Sequence, residues 1–345
     1  MTSAVKGVLA STVRLEKPNL HWRRPLITGI VTGLIAAVCI ATDHTSSAVP
    51  LAVGAWFTSL TDTRQAMGVH WRTMCWTALW ISVGATLGGL ASSIGYWQLL
   101  VVAALSIGCG FAGSLGALGI GNGSLTLVMY AIFAGAPVND RSALHTGLLA
   151  LLGGAITILV TLAIYVLFAR HQYRERAPRP ASVSSRLRSH WRLGDENLQH
   201  GLRLAALMVV ATAIAHVLGW PHEYWIPMTV AWVARSGQGL TLERTWHRVL
   251  GTLAGIAFVT LMMLTAGDSP YQLAVLVAAG ATMTLIFARA NYALAVTGIT
   301  IAVMSLFEIE GQSLEINAVY RIWATLIAGA LLTIGALAWP ARGEH

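Results

Sequence analysis

The sequence predicts an all-α polytopic membrane protein, and three observations carry that class. Hydrophobic residues make up 56% of the 345 and charged residues only 10%, against roughly 25% charged in soluble domains. The mean hydropathy is +0.66. The apolar residues gather in runs near the roughly 20 residues that a helix needs to cross a bilayer core.

Read in order, the runs give about 12 transmembrane segments. They lie near 26–42, 47–60, 70–92, 97–116, 121–136 and 142–169, then 200–219, 224–235, 245–266, 271–287, 292–308 and 315–339. Residues 1–25 carry five basic residues and no short apolar core with a small-residue cleavage site. They read as a cytoplasmic lead-in segment, not a cleaved signal. Residues 26–169 form a first transmembrane repeat and 199–340 a second. Between them, 170–198 is a basic, Pro- and Ser-containing cytoplasmic linker, and 341–345 is a short tail.

Charge placement orients the chain. All but two of the 22 Lys and Arg fall on the side shared by the termini and the linker; the exceptions are Arg141 and Arg321. The 14 acids divide evenly between the sides. This bias puts both termini in the cytoplasm. It also accounts for the isoelectric point near 9.9 without a nucleic-acid partner. Trp22, Trp97, Trp220, Trp225 and Trp339 fall near span ends, where interfacial aromatic belts sit. Cys39, Cys75 and Cys109 lie within apolar runs and read as small buried hydrophobes, neither disulfide framework nor metal site.

The two blocks read as repeats. Pro50 precedes Leu-Ala-Val-Gly-Ala-Trp and Pro227 precedes Met-Thr-Val-Ala-Trp. His70-Trp71-Arg72 is echoed by Trp246-His247-Arg248. Gly84 and Gly88 in one block, and Gly251 and Gly255 in the other, give small-xxx-small helix faces. Each final helix opens with an arginine, Arg141 or Arg321. Six spans per block is an even number, so the repeats are parallel. The second helix of each is short, or broken at Pro and Gly, and runs directly into Thr61-Asp62-Thr63-Arg64 or Arg235-Ser-Gly-Gln-Gly. A segment ending at membrane depth leaves backbone groups that lipid cannot satisfy. Paired short segments are therefore the sequence's pointer to a transport site.

Tyr224-Trp225-x-Pro227-x-Thr229-Val230, then Arg235, Thr241, Arg244, Arg248, Gly251-Thr252 and Gly255, resemble the signature of the fusaric-acid-resistance, or aromatic acid exporter, family. So do Asn291-Tyr292-Ala293-Leu294-Ala295-Val296 with Thr300, and Arg321 with Thr325-Leu326-Ile327, Gly329 and Trp339-Pro340. The resemblance covers nearly all of the second block. The first departs from it, with Cys75 where Gly251 stands and Gly68 where Arg244 stands. The resemblance implies a bacterial inner-membrane exporter of aromatic or related organic acids, driven by the proton gradient and homodimeric. More distantly it reaches the plant aluminium-activated malate transporters, which are dimeric anion channels. A passive organic-anion channel or uniporter is thus the alternative.

The residues themselves suggest how such a site works. Arg235 stands at the break, and Arg244 and Arg248 share a face with Gly251 and Gly255 on the next helix. Their planar guanidiniums suit carboxylates. Arg72 is the first-block counterpart of Arg248, and Gln238 lies just beyond the break. Trp56, Tyr224, Trp225 and Trp232 offer aromatic surface for a ring. Proton coupling needs a titratable group in the membrane, for which Asp62, His70, Glu223 and His247 are the candidates, with His145 and His216 deeper. Arg141 and Arg321 suggest an outer anion relay. The glycine-rich stretch 108–123 lacks the Lys-Ser/Thr of a phosphate loop and reads as close helix packing with a tight turn. With no HExxH, GxSxG or aspartate-rich motif, the chain is not expected to be an enzyme. No cofactor or metal is expected, and the partners are membrane lipid, an organic anion and protons.

Overall fold

The computed structural model describes residues 22–60, 67–135, 142–168, 190 and 195–339. All twelve expected segments appear among them as helices. The first half holds α1 (Arg23–Ala41), α2 (Ala48–Thr58), α3 (Met67–Ala91), α4 (Gln98–Phe111), α5 (Ala117–Gly135) and α6 (Ala143–Phe168). The second holds α7 (Glu196–Leu218), α8 (Trp225–Val233), α9 (Gln238–Ala266), α10 (Pro270–Phe287), α11 (Tyr292–Ile309) and α12 (Leu314–Ala338). Asp62, Arg141 and nearly all of the linker lie outside the described residues.

Ten of these helices, α4 with its flanking 3-10 turns, are long and apolar enough to cross a membrane. The two that fall short are α2, with 11 residues, and α8, with 9. These are the paired short segments expected from the sequence. Their prolines do not break them. Pro50 and Pro227 sit in the first turn of each helix, where the missing N–H has no intrahelical partner to lose. Every residue of α2 except Leu51, and of α8 except Trp232, is buried. The short helices are therefore enclosed by other helices, the surroundings that a segment ending at membrane depth needs.

Packing pairs in one half recur six helices later. Helix α3 packs on α5 and α6, as α9 packs on α11 and α12; α2 packs on α6, as α8 packs on α12. The contacts between halves obey the same rule: α1 on α10 is matched by α7 on α4, and α8 on α5 by α2 on α11. This is the arrangement of two parallel six-helix units. Asp43 and His222, in the turns before α2 and α8, are the positive-φ non-glycine positions among the described residues, both at φ 57°.

The small-residue faces perform the role their spacing implied. A Cβ on Gly251 or Gly255 would run into Ala293, Val296 and Thr300 of α11; one on Gly84 or Gly88 would run into Thr126 and Tyr130 of α5. The glycine-rich stretch likewise resolves into packing and a turn. Gly123 lies against the Cys109 backbone, Gly110 against Gly201 of α7, and Gly116 turns the chain at φ 87°.

Candidate functional site

The corner between α8 and α9 is where backbone groups need outside partners. After Val233 the chain leaves helical geometry: Ala234 has ψ 131° and Gly237 ψ 141°. Arg203 of α7 reaches the exposed carbonyls. Its Nη2 donates to the oxygens of Arg235 (2.8 Å) and Ser236 (2.6 Å), and its Nη1 to that of Trp339 (3.1 Å). Thr241 Oγ1 accepts from the Arg235 amide (3.2 Å) and donates to the Gly237 carbonyl (2.9 Å). The break is thus a fixed corner, and charge-assisted bonds of this kind are the stronger ones.

This corner carries Arg235 inward. Its Nη1 donates to the Ala234 carbonyl (3.0 Å) and to Ser124 Oγ of α5 (3.3 Å). It therefore spans the two halves instead of snorkelling away from them. Arg235 forms one wall of a cavity of about 140 Å³, with Trp232, Arg244, Tyr292, Ser124 and Thr284 among the other lining residues. The Arg244 guanidinium lies 4.5 Å from the Tyr292 ring centroid, a cation–π distance. Phe57 of α2 meets Trp232 edge to face at 5.2 Å. The short helices of both halves thus support the same wall. Chemically, the cavity offers two guanidiniums and two aromatic faces, the complement of a ring bearing a carboxylate.

The remaining candidates scatter. Trp56 is wholly buried as packing against Phe57, and Gln238 opens α9 without lining the cavity. Arg72 is exposed and rests over Trp71 at 5.5 Å. It is not among the residues that line the cavity. Trp225 is corrected as a belt residue. It is 1% exposed and forms an aromatic cluster with His222 at 4.7 Å and Phe307 at 5.8 Å, Phe307 itself lying 4.9 Å from His222. Trp22, Trp97 and Trp339 are exposed, as belt residues should be.

Arg248, unlike Arg244, is not among the residues that line the cavity. It lies fully buried one turn deeper in α9, while Arg321, two turns inside α12, is equally buried and 5.0 Å from the Trp225 ring. Arg321 is thus enclosed by protein on all sides. His70 lies in a separate pocket beside Arg24 and Ser59. His247 Nε2 is 3.9 Å from Glu243 Oε1 on its own helix. Glu223 has a closer partner: Oε1 is 3.5 Å from His216 Nδ1, which also meets Gln98 Nε2 at 3.5 Å. These three, with Tyr224 and Tyr130, line a small pocket between the halves. Burial pushes the Glu223 carboxyl above the usual range, and His216 opposes that shift.

Sequence reasoning missed Tyr292 as a wall residue, Arg203 as the clasp of the corner and Ser124 as the inter-half partner of Arg235. Tyr292 carried a signal, since it stands in the Asn-Tyr-Ala-Leu-Ala-Val motif. Arg203 and Ser124 carried none beyond polarity.

This fold and site define a class: a multi-pass helical membrane protein with an anion-complementary cavity at a helix break. Residues 210–335 match the family described as fusaric acid resistance protein-like. Similar proteins include the inner membrane protein YccS of Escherichia coli (30% identical over 42% of this chain and 20% of YccS). The uncharacterized protein YhfK of the same organism is 29% identical over 44% of this chain and 22% of its own length. A Synechocystis protein, also uncharacterized, is 31% identical over 42% and 19%. The matched segment thus spans about a fifth of these relatives. No solved structure matches the chain.

Proposed function

We propose that the protein is an inner-membrane secondary transporter that exports single-ring aromatic acids or closely related organic acids, using the proton gradient. The observation that carries this reading is the cavity at the α8–α9 corner, where Arg235 and Arg244 meet Trp232 and Tyr292. A cavity of about 150 Å³ holds one benzene-sized ring, so a volume of about 140 Å³ selects acids with one ring. Proton coupling is assigned to Glu223 with His216. The carboxyl's neutral form is favoured by burial, and it stands between the halves, where relative motion would alternate its exposure. The fusaric acid resistance match and the inner-membrane relative support the setting and the outward direction.

The test is uptake of labelled benzoate into inverted vesicles with an imposed pH gradient. The expected result is accumulation that collapses with the gradient. Equilibration that ignores the gradient would assign a passive channel or uniporter instead, and no movement of any carboxylate would remove the transport reading.

A further inference from the structure

Arg248 and Arg321 present a problem that the cavity does not solve. Arg248 is 1% exposed and Arg321 0%. The Arg321 nitrogens Nε, Nη1 and Nη2 are all buried without a hydrogen-bond partner; those of Arg248 are buried as well, with the Tyr292 hydroxyl as their neighbouring polar group and no carboxylate among the ion pairs of the described residues. A buried guanidinium without a counter-charge costs several kcal/mol, and membrane depth raises the cost. Here two stand in one bundle.

They are also close to one another. Helices α9 and α12 pack antiparallel, with Thr245 against Gly329. At 1.5 Å rise per residue, Arg248 lies about 5 Å beyond Thr245, and Arg321 about 12 Å beyond Gly329 in the same direction. Their Cα atoms are therefore roughly 7 Å apart along the axis, a gap that two arginine side chains can close. Tyr292 and Arg248 are both among the groups that act electrostatically on Arg321.

Neighbouring polar groups are orphaned as well. Buried helical threonines here commonly donate to the carbonyl four residues back, as Thr245, Thr300 and Thr325 do. Thr229 of α8 and Thr252 of α9 do not, and their hydroxyls have no partner. Thr252 lies one turn from Arg248. Asn317, one turn from Arg321, has an unpartnered buried Nδ2. Orphaned buried donors are uncommon in folded proteins. Two of those named here, Thr252 and Asn317, stand one helical turn from a buried guanidinium.

We propose that Arg248 and Arg321 enclose a binding site for one small monovalent anion, completed by Thr252 and Asn317 and distinct from the cavity at Arg235 and Arg244. The near-zero exposure of both arginines limits the ligand to a desolvated ion of halide or carboxylate-head size. Its source is either an inorganic anion of the medium or the carboxylate of an organic acid that has moved inward. The site depends neither on the direction of transport nor on proton coupling.

The test is thermal unfolding of the purified full chain in gluconate buffer, titrated separately with chloride and with benzoate. A ligand that binds only the folded state raises the midpoint, by an amount that grows with the logarithm of its concentration above Kd, here on the order of a few °C. Two variants locate the effect. Arg321→Met removes half of the cationic pair. Asn317→Asp leaves both arginines and supplies a built-in carboxylate one turn away, so it unfolds at a higher temperature than wild type in gluconate. Loss of the chloride shift in both variants, with the benzoate shift retained, assigns an inorganic ion and leaves the organic acid in the cavity. Loss of the benzoate shift in both assigns the carboxylate head. Where Arg321→Met does not fold, Asn317→Asp alone decides. The proposal is overturned if neither anion gives a shift that these substitutions remove, or if Asn317→Asp gains no stability in gluconate.

Discussion

Replacing Arg203 with Met tests whether the α8–α9 corner is held from α7. The guanidinium makes three bonds to main-chain oxygens, those of Arg235, Ser236 and Trp339. A hydrogen bond to a charged group contributes about 1.5–3 kcal/mol. The bond to the Arg235 oxygen is partly buried and counts in full. The other two are exposed, where water replaces most of the interaction, so they add about 0.5 kcal/mol each. The expected loss is therefore about 2.5–4 kcal/mol. The carbonyls freed belong to the residues that aim Arg235 at the cavity, so half of that loss expressed at the site weakens benzoate binding about tenfold. Arg203→Lys keeps the charge but loses the fork, and falls between wild type and Met. Thermal unfolding in detergent reads the first quantity and titration calorimetry the second. Wild-type stability with wild-type affinity refutes the clasp. Lost stability with unchanged affinity refutes its connection to the site.

Further consequences follow for the cavity, the packing and the pH response. Arg235→Ala removes a guanidinium that ties α8 to Ser124, and binding of aromatic acids should fall 10- to 100-fold, about 1.5–3 kcal/mol, as read by calorimetry. Trp232→Ala should weaken benzoate more than an aliphatic acid of similar size, since only the ring loses a stacking face, worth about 0.5–1.5 kcal/mol; competition binding with the two acids measures the difference. Gly251→Val pushes a side chain into Ala293 and Val296, at about 1–3 kcal/mol, whereas Gly239→Ala meets nothing within 4 Å and should be neutral or stabilising; paired melting curves decide. Glu223 has a raised carboxyl pKa, so its contribution to stability is present below the ordinary glutamate range and is lost as pH rises through the raised value. Glu223→Gln should flatten stability and transport activity across that window, which a pH series on the two proteins reads directly.

Much of the fold was legible because hydropathy and backbone accounting act locally. The boundaries 47–60 and 224–235 anticipate α2 and α8 closely, and the Gly84/Gly88 and Gly251/Gly255 faces pack as their spacing requires. The site was legible only in part, because one residue type serves opposite roles depending on the facing helix. Arg72 and Arg248 occupy matching motifs, yet one lies outside over Trp71 and the other is wholly buried. Trp225 sits at a span end like a belt residue, but α8 is enclosed by other helices, so its ring stacks on His222 instead of meeting lipid headgroups. Residues that act across helices, such as Arg203 on the α8 corner or Ser124 on Arg235, have partners 32 and 111 positions away. No local pattern encodes contacts of that range.

The proposed occupant of the cavity between the short helices is an aromatic carboxylate. The proposal is tested most directly by an experimental structure of the protein bound to 4-bromobenzoate, read from the anomalous signal of the bromine. The expected result is a bromine peak between the rings of Trp232 and Tyr292, with the carboxylate density directed at Arg235 and Arg244. An empty cavity at saturating ligand, or a ring bound elsewhere in the bundle, contradicts it.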